Sequence, residues 1–139
     1  PAITVFSSRY RAWAFDPTSD EEITADVVLP SDWTSGALVF KQFWTNIGAA
    51  GAGKVVWRLD VAATADGEDL TAGWTTTRDT IAAPALSVLK RSTLTATVTP
   101  SSNDLIQLLV GRDADNVADT VNGNDVGFLG LQIEYTASQ

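Results

Sequence analysis

Five groups of residues have types and spacings that could do chemistry. Gly48-Ala-Ala-Gly51-Ala-Gly53-Lys54 matches the G-x-x-x-x-G-K part of a phosphate-binding loop. That loop needs a Ser or Thr hydroxyl after the Lys and a helix opening behind it, so that backbone N–H groups face the phosphate. Val55 stands at the hydroxyl position, and VVWRLDV then follows with a strand pattern. Nucleotide binding is therefore not expected, and the stretch reads as a glycine-rich connection. The second group is DADNVADTVNGND (113–125), with Asp113, Asp115, Asp119, Asp125 and three Asn. Such oxygen-rich loops suit Ca²⁺, which takes six to eight hard ligands. The EF-hand spacing fails at Val117, Ala118 and Asn124. What stays open is a Ca²⁺ site of another geometry or a solvated connection rich in Asx-turns. The third group, Asp66, Glu68 and Asp69, offers the paired carboxylates that glycoside hydrolysis uses, but it surrounds an Asp-Gly hairpin signal.

The remaining two groups suit recognition. Of the five tryptophans, Trp57 and Trp44 lie within apolar strand patterns and are expected in the core, Trp44 there or at an interface. Trp33 and Trp74 lie at turn edges. They are expected either to be exposed for stacking on sugars or anchoring a partner, or to pack at the edge of the core. Near the N-terminus, Arg9 and Arg11 flank Tyr10, with Ile3, Val5, Phe6 and Trp13 close by. This basic, aromatic stretch reads either as an arm (1–12) that adds a strand to a neighbouring sheet, or as an ordinary first strand. The expected interface residues are Ile3, Val5, Phe6, Arg9, Tyr10, Arg11, Trp33 and Trp74.

Composition narrows the chemistry further. The 139 residues include no Cys, no His and no Met; nine basic residues face 17 acidic ones, for a net charge of −8. Without Cys there are no disulfides or thiolate nucleophiles, and without His the commonest general base and metal ligand is missing. No catalytic residue, metal ligand or cofactor site is assigned, and the chain is expected not to be an enzyme. A phosphate-binding surface needs clustered Lys and Arg, so contact with nucleic acid is not expected either. No apolar run approaches the roughly 20 residues of a membrane span, and no signal-peptide pattern opens the chain. The start at Pro1 fits either loss of an initiator Met after synthesis in a cytoplasm or removal of a tag or propeptide.

The elements that must position these groups are strands. Apolar residues alternate with polar ones in 23–29 (Ile23, Ala25, Val27, Leu29), 55–62, 93–99 (Leu94, Ala96, Val98 against four Thr) and 129–135. Successive side chains of a strand point to opposite faces, so each segment predicts one buried and one wet face. Weaker strand patterns cover 3–7, 9–15, 74–82 and 86–91. Two segments, 37–44 and 105–112, are apolar on both faces, which fits a central strand or an interface. Turn clusters rich in Pro, Gly, Asn, Asp and Ser separate them. The expectation is one domain (1–139), all-β, an antiparallel, jelly-roll-like β-sandwich of about eight to ten strands.

Three long segments carry a family resemblance: AWAFDPTSDEEITADVVLPSDWTSGALVFKQFWT, VVWRLDVAATADGEDL and DLIQLLVGRDADNVADTVNGNDVGFLGLQIEYT. In order they hold a strand ending in Leu-Pro, an S-D-W turn, a strand ending in Phe-Trp, V-V-W, an acidic D-G turn and a final G-L-x-I-x-Y strand. This string resembles small jelly-roll structural proteins of tailed bacteriophages. The resemblance implies a virion role and carries over no site residues. With no coiled-coil shaft in the chain, the expected type is a capsid cement or decoration protein on the capsid surface. Its partners would be the major capsid protein and further copies of itself, as dimer or trimer. The alternative is a receptor- or glycan-binding head of a tail fibre or baseplate.

Overall fold

The structure is a computed structural model that describes residues 1–5, 10–33, 36–48, 53–121 and 123–135, the side chains of Thr4 and Val5 excepted. The described residues form no α-helix, and none of them makes a helix long and apolar enough to cross a membrane. They form nine strands: β1 (Ala2–Val5), β2 (Arg11–Phe15), β3 (Glu21–Val28), β4 (Val39–Asn46), β5 (Lys54–Thr64), β6 (Thr75–Ala82), β7 (Lys90–Leu94), β8 (Leu105–Arg112) and β9 (Val126–Glu134).

The pairing is that of one long hairpin rolled up. β5 pairs with β6, β4 with β7, β3 with β8 and β2 with β9, all antiparallel. Two further ladders, β4 with β9 and β5 with β8, join these pairs into two sheets. The result is a five-stranded sheet, β1-β2-β9-β4-β7, facing a four-stranded sheet, β3-β8-β5-β6. This is a jelly roll, with β1 added outside β2. It is the all-β sandwich that the alternation predicts.

The core lies between the sheets, and Trp57 is its centre. Its ring meets Phe15 at 5.5 Å and Trp44 at 5.4 Å, both edge to face, and Phe128 at 6.2 Å. Trp57 comes from β5, and the other three come from strands of the opposite sheet, so one aromatic cluster holds the two layers together. Trp44 is fully buried and donates its indole N–H to Ser92 Oγ at 2.7 Å. The two segments apolar on both faces, 37–44 and 105–112, supply β4 and β8, each flanked by strands on both sides.

Several expectations need correcting. The segment 93–99 is not a strand as a whole: β7 ends at Leu94, and 86–91 contributes only Lys90 and Arg91 to it. The alternation of 93–99 persists all the same, with Leu94 buried and Ala96 and Val98 half-buried against the core. An extended chain alternates its side chains whether or not a neighbour pairs with its backbone. Here Asp79 of β6 takes the place of a ladder, accepting hydrogen bonds from the Thr95 N–H and Oγ1 at 2.8 Å each. Trp33 is not exposed: it is 5% accessible and belongs to the core. In β3 the apolar phase does not end up sealed, because Ala25 and Val27 stay exposed along an open edge of the sandwich.

Among the described buried side chains with an unpartnered polar atom, Gln42 is the one that leaves a whole amide unpaired. Gln42 of β4 is fully buried and neither atom of its amide has a hydrogen-bond partner. A buried polar group without a partner costs about 1–3 kcal/mol. Gln42→Met keeps the length and removes the amide. It is expected to raise the unfolding free energy by about 1–2 kcal/mol, measured by chemical denaturation.

Candidate interaction surface

Register divides the sandwich into two ends. One end collects residues 16–20, the 113–125 loop and the chain entering β5; the other collects 29–38, 65–74 and 95–104. The acidic groups singled out in the sequence fall on both, and Glu68, Asp69, Asp113 and Asp119 are hydrogen-bonded within the protein.

At the first end Arg112 is the hub. Its side chain is fully buried, and each of its five N–H groups finds an acceptor. Two go to the Asp119 carboxylate at 2.9 and 2.8 Å, and the others to the backbone carbonyls of Val121 (2.9 Å), Asn124 (3.0 Å) and Phe15 (3.4 Å). Asp119 in turn accepts the N–H of Val56 at 3.1 Å and of Val121 at 3.3 Å. The Asp-rich loop is thereby folded inward around a cation that the protein supplies. Asn116 Oδ1 accepts the Ala118 N–H at 3.0 Å, a local Asx-turn.

Three carboxylates do come together here, from Asp20, Asp113 and Asp115. Arg78 already donates to Asp113, and Asp20 accepts the Ala114 N–H at 2.7 Å. The charge of Asp20 and a hydrogen bond to Asp113 push the Asp115 carboxyl above its ordinary range. Burial pushes Asp113 upward, but the hydrogen bonds from Arg78 and Asn116 outweigh it and hold the group below its ordinary range.

Gly48 and Gly53 of the phosphate-loop-like stretch also serve packing. A Cβ on Gly48 would collide with the Asn124 side chain, and one on Gly53 would sit 2.9 Å from the Thr120 carbonyl oxygen. These glycines let the chain into β5 lie close against the 113–125 loop; residues 49–52 lie outside the described residues. At the other end, Glu68 accepts the Ala65 N–H and Asp69 accepts the Thr71 N–H and hydroxyl. Both carboxylates thus shape the connection between β5 and β6.

The expected interface residues separate into three places. Ile3 (58% accessible), Tyr10 (61%) and Arg11 are exposed together on the β1–β2 hairpin. Val5 belongs to β1, but its side chain, like Phe6 and Arg9, lies outside the described residues. Trp74 is half-exposed beside β6, on the opposite long edge of the sandwich, and Trp33 is in the core. The tryptophans therefore form no common stacking platform.

The structure adds two apolar surfaces that were not singled out. On the outer face of the five-stranded sheet, Tyr10, Leu89 and Leu129 line a concavity of about 450 Å³ with Thr45 and Ser87. Leu86 and Val88 are also exposed in this connection. It is fastened by the bridge of Leu86 to Asn46 and by the Thr45 hydroxyl donating to the Val88 carbonyl at 2.9 Å. The second surface is a groove of about 200 Å³ between the sheets, lined by β3, β8 and β9. Its strand residues read as an ordinary core face, because alternation looks the same whether the covering layer comes from the same chain or another.

Comparison of the chain with protein-family models, with curated proteins and with solved structures finds no match. The jelly roll thus rests on strand order and register alone.

Two outcomes test the reading of the acidic loop. Arg112→Met leaves the Asp119 carboxylate buried without its partner and is expected to cost about 3–5 kcal/mol of stability. Adding Asp119→Asn should recover part of that loss, because no uncompensated charge remains. For Asp113 the folded state holds the carboxyl below its unfolded range, so its stabilisation is present above that range and lost as pH falls through the folded value. Asp113→Asn should be less stable than the parent near neutrality and converge with it in acid, seen in thermal melts across pH.

Proposed function

We propose that the protein is a non-enzymatic structural component of a virion, of the capsid cement or decoration type, that docks on the major capsid protein lattice. The observation that carries this reading is the concavity of Tyr10, Leu89 and Leu129 with the exposed Leu86 and Val88 beside it. Exposed apolar patches of this kind mark protein–protein contact sites. A lattice repeats such a contact many times, so modest single contacts add up to firm attachment. The resemblance of the sequence to phage jelly-roll proteins supports the same reading, as does a net charge of −8, which disfavours the packaged nucleic acid. The cation and carboxylate partners described above are internal, which also favours adhesion over catalysis. The glycan-binding alternative is less well supported, since one of its two tryptophans is buried and the other lies alone.

The test is co-sedimentation with shells that lack the protein. The parent chain is expected to pellet with shells, and Leu89→Asp, an exposed position, to weaken that binding at least about tenfold while leaving the melting temperature unchanged. Failure of the parent chain to bind such shells, or a positive glycan array, would sink the proposal.

A further inference from the structure

The groove lies under an unfinished part of the five-stranded sheet. β2 pairs with β9 only from Phe15↔Val126 to Trp13↔Phe128. Beyond that point β9 is paired with β4 along one side, from Phe43↔Gly130 to Val39↔Glu134. On its other side Gly130–Glu134 has no ladder partner among the described residues. Below this open edge are Ile23, Ala25 and Val27 of β3, Leu108 and Val110 of β8, and Leu131 and Ile133 of β9 itself. The lining carries no charge. An open β-edge over an apolar groove is a seat for an added strand whose alternate side chains point down.

The same molecule carries a strand with the matching properties. β1 is the outermost strand of its sheet; it pairs with β2 over Ala2–Val5, and its other edge has no partner among the described residues. Its sequence, AITV, is uncharged. Ile3, Trp13, Phe128 and Trp44 fall in one register row across β1, β2, β9 and β4. Phe128 and Trp44 point into the core, so Ile3 points to the same side of the sheet. There it has no second sheet to pack on and remains 58% accessible.

From these edges we infer that the protein forms a two-fold homodimer in which β1 of each copy adds to the open edge of β9 in the other, seating Ile3 in the groove. Direction and facing both fit. Within one copy β1 runs parallel to β9, because each is antiparallel to β2. A two-fold axis perpendicular to the sheet reverses β1, making it antiparallel to β9 of the second copy. The same rotation keeps the sheet's inner side inward, so Ile3 of the second copy enters the groove. The contact is then isologous and closed, with each copy giving one edge and receiving one. The four residues of β1 match the five of Gly130–Glu134.

The inference goes beyond the proposed function and is tested without shells, so either can fail alone. Sedimentation velocity of the full chain should show a concentration-dependent dimer. Ile3→Asp and, separately, Ala25→Glu should each raise the dimer dissociation constant at least about tenfold, with unchanged melts. Thr24→Glu, on the opposite face of β3, should leave it unchanged. The chain has no Cys, so a mixture of Ile3→Cys and Ala25→Cys chains should form a disulfide between copies on oxidation. A monomer at every concentration would overturn the inference. So would a dimer indifferent to both charged substitutions, or a mixture that does not cross-link.

Discussion

The rest of the molecule depends on one buried cation. Arg112 ends β8 inside the sandwich, where an unpaired guanidinium would be prohibitively costly. Its five donors are all satisfied, and the acceptors come from β2 and from the loop between β8 and β9. The hydrogen bond to the Phe15 carbonyl reaches β2, in the sheet opposite β8. The hydrogen bond from Val56 to Asp119 reaches β5. One side chain therefore decides how the 113–125 loop folds, where β9 begins and how the two layers sit at that end. The aromatic cluster about Trp57 does the corresponding work between the sheets, without directionality.

The two long edges of the sandwich are finished differently. On the β6–β7 side, Asp79 hydrogen-bonds to Thr95. On the β2–β3 side the β2 ladder stops after three residue pairs, and the chain that could have covered β9 lies one strand further out, as β1. A jelly roll leaves its outer strands as edges unless something covers them. Here the open edge and the groove coincide, and no strand among the described residues covers the apolar phase of β3 there. The concavity of Tyr10, Leu89 and Leu129 opens on the outer face of the five-stranded sheet, the face away from the groove.

Much of this was legible in the sequence. The period-two pattern in 55–62 and the two-faced apolar run 105–112 located β5 and β8 to within two residues, since both are strand patterns bounded by turn residues. The double-faced apolarity of 37–44 and 105–112 matched strands flanked on both sides. The same reasoning misplaced 93–99, because alternation reports extension and burial but not backbone pairing. It also left Trp33 undecided, since a turn-edge tryptophan looks alike whether it faces in or out. The groove was invisible for a related reason: Ile23, Ala25 and Val27 form a faultless core pattern, and nothing local says that the layer above them is missing.

The sequence by itself determined the class of structure and the chemistry that is out of reach. Alternation, turn residues and the absence of Cys and His are local or compositional facts, and they act wherever the chain goes. Only the tertiary structure decided which charges are spent and which surfaces stay open. Asp119 became a partner for Arg112 rather than a metal ligand because the loop brings it back across seven residues to the end of β8. Gly48 and Gly53 became packing sites because that same loop lies against them. The edge of β9 beyond Phe128 has no ladder partner among the described residues because β2 pairs with β9 only from Trp13 onward. Each of these outcomes depends on long-range pairing, where the same local pattern permits several answers and burial selects one.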